Sequence, residues 1–293
     1  MSKSFSRRQL VKAGILAAIG SSITKNGYAN FPETATELNG SNSLWKDFKV
    51  GIASYTFRKL TLDDTIKALL RLELKYISIK DFHLPLNSSL EERQAAIQKI
   101  KDAGILPLSC GNITMENDEL NIRRVFEYAK DCHIPTIVCS PHPDSMPILD
   151  KMVKEFNIKL AIHNHGPEDK RFPSPYDVWK SVGKYDKRIG LCIDVGHTAR
   201  AKVDPAEAIL KCRERLYDLH FKDIDSTEPE GSTIQAGRGV LDLSSIFHAL
   251  IKIHYPYLLS IEYERSPVDP FPEVAETMGY TKGLLEGITR GKK

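Results

Sequence analysis

The stretch Leu160-Ala-Ile-His-Asn-His-Gly166 decides how the rest of this chain is read. An apolar run stops abruptly at His163, Asn164 and His165, then turns at Gly166-Pro167. Three further runs stop in the same way. Leu191-Cys-Ile-Asp194 continues as Val195-Gly-His197, and Leu216-Tyr-Asp-Leu-His220 as Phe221-Lys-Asp223. Leu258-Leu-Ser-Ile-Glu262 continues as Tyr263-Glu264. Each is a short buried-strand pattern that delivers a metal-ligating or acid/base side chain at its C-terminal end. A parallel barrel builds its active site at that end of its strands.

Outward from these runs, the chain alternates apolar strands with helical patterns. Strand patterns precede the opening stretch at Val50–Tyr55, Tyr76–Lys80, Leu106–Cys110 and Thr136–Cys139. Leu62, Ile66, Leu69 and Leu70 predict one apolar helix face, and Ile122, Val125, Phe126 and Ala129 another. Ser89-Leu-Glu-Glu92 reads as a capping box and Gly104 as a helix stop; Ser174-Pro175 and Asp204-Pro205 read as helix starts. Further helices are expected over 145–156, 243–253 and 272–288. Apolar rather than alternating strands argue for a parallel sheet covered by helices. The count of strand-plus-helix units matches a TIM barrel better than an open doubly wound sheet. No GxGxxG or phosphate-cradling loop motif occurs.

The chain has 293 residues, 41% of them hydrophobic and 27% charged, as in ordinary globular proteins. Its formal charge is +3, and the five cations Lys3, Arg7, Arg8, Lys12 and Lys25 all precede Asn30 with no acid among them. Without that segment the remainder is weakly acidic, so charge gives no reason to expect a nucleic-acid partner. Ser6-Arg-Arg-Gln-Leu-Val-Lys12, the small apolar run from Ala13 to Ile23, and Gly27-Tyr28-Ala29 read together as an export signal of the twin-arginine type. The expected division is a signal peptide at 1–29, a linker at 30–44 and a catalytic barrel at 45–293. A periplasmic location follows, without stable membrane insertion once the signal is cleaved. The five cysteines, Cys110, Cys132, Cys139, Cys192 and Cys212, show no C-x-x-C pair and read as buried free thiols.

His163, Asp194, His220 and Glu262 end four neighbouring strands. Imidazole and carboxylate together suit Mn, Mg, Zn, Co or Fe. A single strand-end His or Asp more often caps a helix; the joint placement points to a divalent metal with open positions for substrate. Lys80, Asp81 and His83 follow the second strand at the same mouth, where Lys80 and His83 are candidate substrate contacts. Lys222 is positioned to polarise a carbonyl or to pair with Asp223. Arg238, between Gly237 and Gly239, is a candidate substrate contact from a loop. His142, His248 and His254 have no strand-end partner and read as structural.

Ile193-Asp-Val-Gly-His197, Leu219-His-Phe-Lys-Asp223 and Leu258-Leu-Ser-Ile-Glu262 resemble the sugar phosphate isomerase/epimerase superfamily, the xylose isomerase-like TIM barrels. The resemblance covers Val50 to Gly287. It implies metal binding by Asp194, His220 and Glu262, and substrate contact by His197. Ketose epimerases in that superfamily present a glutamate on the fifth strand; this chain has His163-Asn-His165. That arrangement resembles inosose dehydratases more closely, with Glu168 as an alternative ligand or base.

The resemblance implies chemistry through an enediolate on a keto sugar or cyclitol. Glu262 or His165 is the expected base, and loss or addition of water is favoured over isomerisation or epimerisation. Export disfavours phosphorylated sugars as substrates. Two other classes resemble the chain less closely. One is a nuclease of the endonuclease IV type, disfavoured by charge and by the export signal. The other is a carbohydrate-binding barrel without chemistry.

Overall fold

The apolar runs become the staves of one closed barrel. The computed structural model describes residue 45 and residues 48–290. The export signal and linker read from the sequence lie outside the described residues. The strands of the first half are β1 (Lys49–Ala53), β2 (Tyr76–Ile79), β3 (Leu106–Met115) and β4 (Thr136–Pro141). They are followed by β5 (Lys159–His163), β6 (Ile189–Asp194) and β7 (Leu216–Phe221). A small antiparallel hairpin, β8 (Asp223–Ile224) and β9 (Thr233–Ile234), interrupts the pattern before β10 (Leu258–Ile261). The barrel order is β1-β10-β7-β6-β5-β4-β3-β2, closed, with every barrel pairing parallel. The expected TIM barrel is therefore the fold.

Helices fill the connections: α1 (Leu62–Arg71), α2 (Leu90–Asp102), α3 (Glu119–Asp131), α4 (Met146–Phe156) and α5 (Pro175–Val182). Then come α6 (Val195–Arg200), α7 (Pro205–Cys212), α8 (Leu243–Lys252) and α9 (Phe271–Arg290). Their starts follow local chemistry. Thr61 Oγ1 accepts the Asp64 N–H at 3.1 Å, and Asp204 accepts the Glu207 N–H at 2.9 Å. Ser89 and Glu92 close the reciprocal capping box at 3.2 and 2.8 Å. The helices lie against outward strand residues such as Ile52, Ile77, Ile162 and Leu219, all buried. Burying a side chain such as Phe126 contributes roughly 1.5–3 kcal/mol. The α3 stripe is buried as expected. The α1 stripe differs: Ile66 and Leu69 are buried but Leu70 is 51% exposed. Leu70 lies about 100° round the helix from Leu69, beyond the edge of the packed face.

Beneath the strand-end residues a small cluster separate from the main core fills the barrel, with Tyr217 among its members. Ala161 and Cys192 share a face with His163 and Asp194 by the strand period of two, and they pack with Val138 in this buried cluster. All five cysteines are buried and free.

β3 runs five residues beyond its expected end. Its register shifts between Cys110 and Ile113, where Gly111 adopts φ +123°. A Cβ on Gly111 would lie 2.0 Å from the Val138 carbonyl oxygen, so glycine permits this bulge. The extension carries Asn112 to the barrel mouth.

Candidate active site

The strand register brings the four sequence-derived ligands together. His163 ends β5 opposite Cys192; Asp194 ends β6 opposite His220 on β7; Glu262 directly follows β10. All four are buried, and one donor atom from each lies within 4.8 Å of the others. His163 Nε2 is 3.1 Å from His220 Nδ1 and 3.5 Å from Asp194 Oδ2. His220 Nδ1 is 3.2 Å from Glu262 Oε2 and 3.9 Å from Asp194 Oδ2.

Asp194 divides its carboxylate. Oδ1 accepts the His197 N–H at 2.8 Å and caps α6, while Oδ2 is buried in the cluster without a well-aligned hydrogen bond. A tetrahedral ion with ligand bonds of about 2.0–2.2 Å needs donors about 3.3–3.6 Å apart. These spacings and this donor set fit a divalent ion.

The electrostatics favour positive charge at the same point. Burial opposes ionisation of Asp194 and Glu262 most strongly. Lys222 beside Asp194, and His220 and Lys222 beside Glu262, outweigh it and hold both carboxyls well below the usual range. Burial, then His165, pushes His163 well below its ordinary value, toward the neutral form that ligates metal. Burial works against His220 too, but Cys192 and Glu262 raise it well above its ordinary value. A divalent ion satisfies the same two carboxylates.

Of the two roles expected for Lys222, polarising a carbonyl or pairing with Asp223, the pairing is not the one found. The buried Lys222 ammonium lies 2.9 Å from Asp194, 2.7 Å from Glu262 and 2.5 Å from Glu264. Adjacent residues of an extended chain point to opposite sides. Asp223 accordingly turns away, accepting N–H bonds from Ile224, Gly237, Gly239 and Leu241 at 2.9–3.2 Å and so organising the loop after β7.

Three of the four donor residues, His163, His220 and Glu262, line a cavity of about 510 Å³, with Asp194 fully buried beside them. Of the sequence candidates, Lys80, His165 and His197 line it. Lys80 Nζ donates to the Asn112 carbonyl, and burial lowers its pKa. His165 Nδ1 faces Ser140 Oγ at 3.2 Å and Asp169 at 3.5 Å, while Nε2 faces the Asn112 amide at 3.0 Å. Burial and then His197 lower the His165 pKa, which favours the neutral ring.

Two candidates fall elsewhere. His83 is buried below the mouth, within 3.1 Å of Ser54 Oγ, Thr65 Oγ1 and the Phe57 carbonyl; the turn at Lys80 folds it back under α1. Arg238 is exposed and pairs with Glu276, because the Asp223-organised loop directs it outward. Glu168 lines the cavity but is paired with Arg200 and lies outside the four-donor set. His142 accepts the Asp144 N–H at 3.2 Å in the turn before α4, and His248 bonds the Ser244 carbonyl at 2.8 Å.

The cavity also exposes Tyr55, Asn112, Asp169 and Glu264, which were not among the sequence candidates. Glu264 had a visible signal: the strand period places it on the side of Glu262. Asn112 had none, since its position depends on the β3 bulge.

One layer beneath His220 sits Asp218, fully buried, with Ser260 Oγ donating to it at 3.3 Å and Oδ2 left unpartnered. Burial pushes its carboxyl from 3.8 up to about 6. A raised carboxyl pKa stabilises the fold only while the group is protonated. That contribution is lost as pH rises through about 6. Asp218→Asn removes the titration, so thermal melts should show the variant gaining on wild type by about 1–2 kcal/mol between pH 5 and pH 8. A pH-independent difference would show that Asp218 does not titrate in this window.

The family profile of the xylose isomerase-like TIM barrel matches residues 54–284, and the chain belongs to that family. The rhizopine catabolism protein MocC of Rhizobium meliloti is 27% identical over a stretch covering 45% of this chain and 45% of MocC. The match thus spans less than half of that relative. Among solved structures, a D-tagatose 3-epimerase-like protein superposes with TM-score 0.70 at 16% identity, covering 84% of this chain and 100% of the other. The IOLI protein, solved with a bound zinc atom, superposes with TM-score 0.68 at 16% identity, covering 82% and 98%. At these identities the structural matches establish the fold.

Proposed function

We propose that this member of a sugar-modifying family is a divalent-metal-dependent hydratase/dehydratase acting on an unphosphorylated keto sugar or cyclitol. One observation carries the reading: the fifth strand ends in His163, within the four-donor cluster, and is followed by His165 on the cavity wall, where a two-glutamate epimerase needs its second carboxylate. His163, Asp194, His220 and Glu262 would hold the ion, as the donor spacing supports. When bound, it supplies positive charge for a carbonyl oxygen as that oxygen gains electron density.

His165 is the better base. Glu262 is held well below the usual carboxylate range by His220 and Lys222, against the effect of burial, and is a weak proton acceptor. The Asp169 carboxylate near His165 Nδ1 only accepts, which favours a proton on Nδ1; Nε2, which then accepts from the Asn112 amide at 3.0 Å, must exchange that donor for the proton on the carbon alpha to the carbonyl. The C–H electron pair becomes the new double bond as the beta carbon–oxygen bond breaks. Lys80, whose pKa burial lowers, donates a proton to the departing oxygen, and water leaves. Addition of water is the reverse.

Glu264 supports a second reading. It is a carboxylate on the cavity wall next to Glu262, although it is paired with Lys222, and it supplies the second acceptor that epimerisation requires. Metal-loaded protein incubated with 3-keto hexoses in deuterated water separates the two by NMR. The hydratase reading expects a dehydrated or hydrated product with deuterium alpha to the carbonyl. Clean interconversion of two epimers would overturn it.

A further inference from the structure

Behind the cavity wall lies a group of residues that the proposed chemistry leaves without a role. Arg200, the last residue of α6, is 9% exposed. One guanidinium nitrogen is 2.9 Å from His197 Nδ1; the other donates to the Glu168 carboxylate and to the Pro229 carbonyl. The side chain thus joins α6, the loop after β5 and the loop between β8 and β9.

A guanidinium has five N–H donors and no acceptor. At 2.9 Å, His197 Nδ1 must therefore accept from Arg200, and the ring proton sits on Nε2. His197 lines the cavity with its ring centroid 5.9 Å from His163 and 5.6 Å from His165. In this tautomer one nitrogen is occupied by Arg200 and the other already carries hydrogen. The ring has no free lone pair with which to accept a proton from substrate. It is a hydrogen-bond donor on the wall of the cavity that His163, His220 and Glu262 also line, within reach of a substrate oxygen held there.

The turn in the opening stretch encloses the same group. Gly166 has φ +89°, and a Cβ there would lie 3.1 Å from Glu168, 3.3 Å from His197 Nδ1 and 3.6 Å from Arg200. Gly166 lets the loop close over the Glu168–Arg200–His197 chain without displacing it.

We infer that Arg200, held by Glu168 and the Pro229 carbonyl, is a positioning residue that fixes His197 in the Nε2–H tautomer, so that His197 donates a hydrogen bond to a substrate oxygen and does not act as a base. The inference deepens the proposed function and rests on it for the identity of the substrate oxygen. The tautomer itself is measurable without substrate.

The test is a long-range proton–nitrogen NMR correlation on the full chain labelled with 15N at histidine. His197 is assigned by the signals lost in His197→Gln. The expected wild-type pattern is a bare Nδ1 and a protonated Nε2. Arg200→Met should convert it to a mixture of tautomers and lower kcat roughly 10- to 100-fold with little change in KM, the scale of losing an outer partner of a site histidine. Glu168 is 57% exposed on its side chain, so water can solvate it after that change. Arg200→Lys, which restores a cationic donor, should recover part of the wild-type tautomer pattern and serves if the methionine variant fails to fold. A proton on Nδ1 in the wild type, an unchanged pattern in folded Arg200→Met, or a folded Arg200→Lys that recovers none of the wild-type pattern overturns the inference. Absence of turnover on every keto sugar, with the wild-type tautomer as expected, would instead count against the proposed function.

Discussion

Asp194→Ala should leave the protein without its divalent ion and lower turnover by at least about 10³-fold, the rate equivalent of several kcal/mol of lost charge stabilisation. The expectation comes from what Oδ2 faces. It is fully buried and lies 3.5 Å from His163 Nε2 and 3.9 Å from His220 Nδ1, the two nitrogens that would share an ion with it. The substitution also removes the cap of α6, where Oδ1 accepts the His197 N–H at 2.8 Å, a loss of about 1 kcal/mol in stability. Asp194→Asn separates the two effects. Its amide oxygen can keep the cap while the negative charge that attracts the ion is gone. Elemental analysis should show metal loss in both variants, and thermal melts should show the cap loss in the alanine variant. Lys222 keeps Glu262 and Glu264 as partners in either case, so no unpaired cation is buried. Full metal content and wild-type turnover in Asp194→Ala would rule out this centre.

The four metal-type side chains were legible because each ends an apolar run, and a parallel barrel gathers strand ends. Pairing of Asp194 with His220, and of Ser260 with His220, then follows from closing the staves in order. Other features depend on geometry that no local pattern encodes. Asn112 reaches the mouth only because β3 continues through a bulge that Gly111 permits, where the apolar pattern stops at Cys110. His83 lies four residues beyond the end of β2, on the side of the barrel where the four-donor residues end their strands. It is lost to the site because His83 N–H and Leu84 N–H both bond back to the Lys80 carbonyl, curling the turn inward. Arg238 sits between two glycines whose N–H groups are held by Asp223, which fixes the loop and sends the arginine outward. Lys222 was visible as a cation near the site, but its three carboxylate partners come from β6 and from the segment after β10 and meet only in the closed barrel.

His165→Ala should slow water loss or addition by roughly 10²–10⁴-fold, the usual contribution of a general acid or base, while leaving the metal in place. Epimerisation by paired carboxylates needs an acceptor on one face of the carbon and a donor on the other. His163 is committed to the cluster through Nε2, 3.1 Å from His220 Nδ1, and its Nδ1 faces His165 at 3.4 Å, so it offers substrate no free acceptor. His165 sits on the cavity wall outside the four-donor set, so its removal deletes a proton acceptor without deleting a ligand. Glu262→Gln should behave differently, weakening metal retention together with rate, because that carboxylate faces His220 at 3.2 Å within the donor set. The two variants therefore distinguish base from ligand: metal retained and rate lost in His165→Ala, both diminished in Glu262→Gln. Deuterium exchange alpha to the carbonyl should fall in step with turnover in His165→Ala, since the imidazole is assigned to that proton. Exchange at the wild-type rate with only product formation slowed would move His165 from the alpha proton to the departing oxygen. An unaffected rate for both steps, with exchange abolished by Glu264→Gln, would transfer the base to the carboxylate beside Lys222 and favour the epimerase reading.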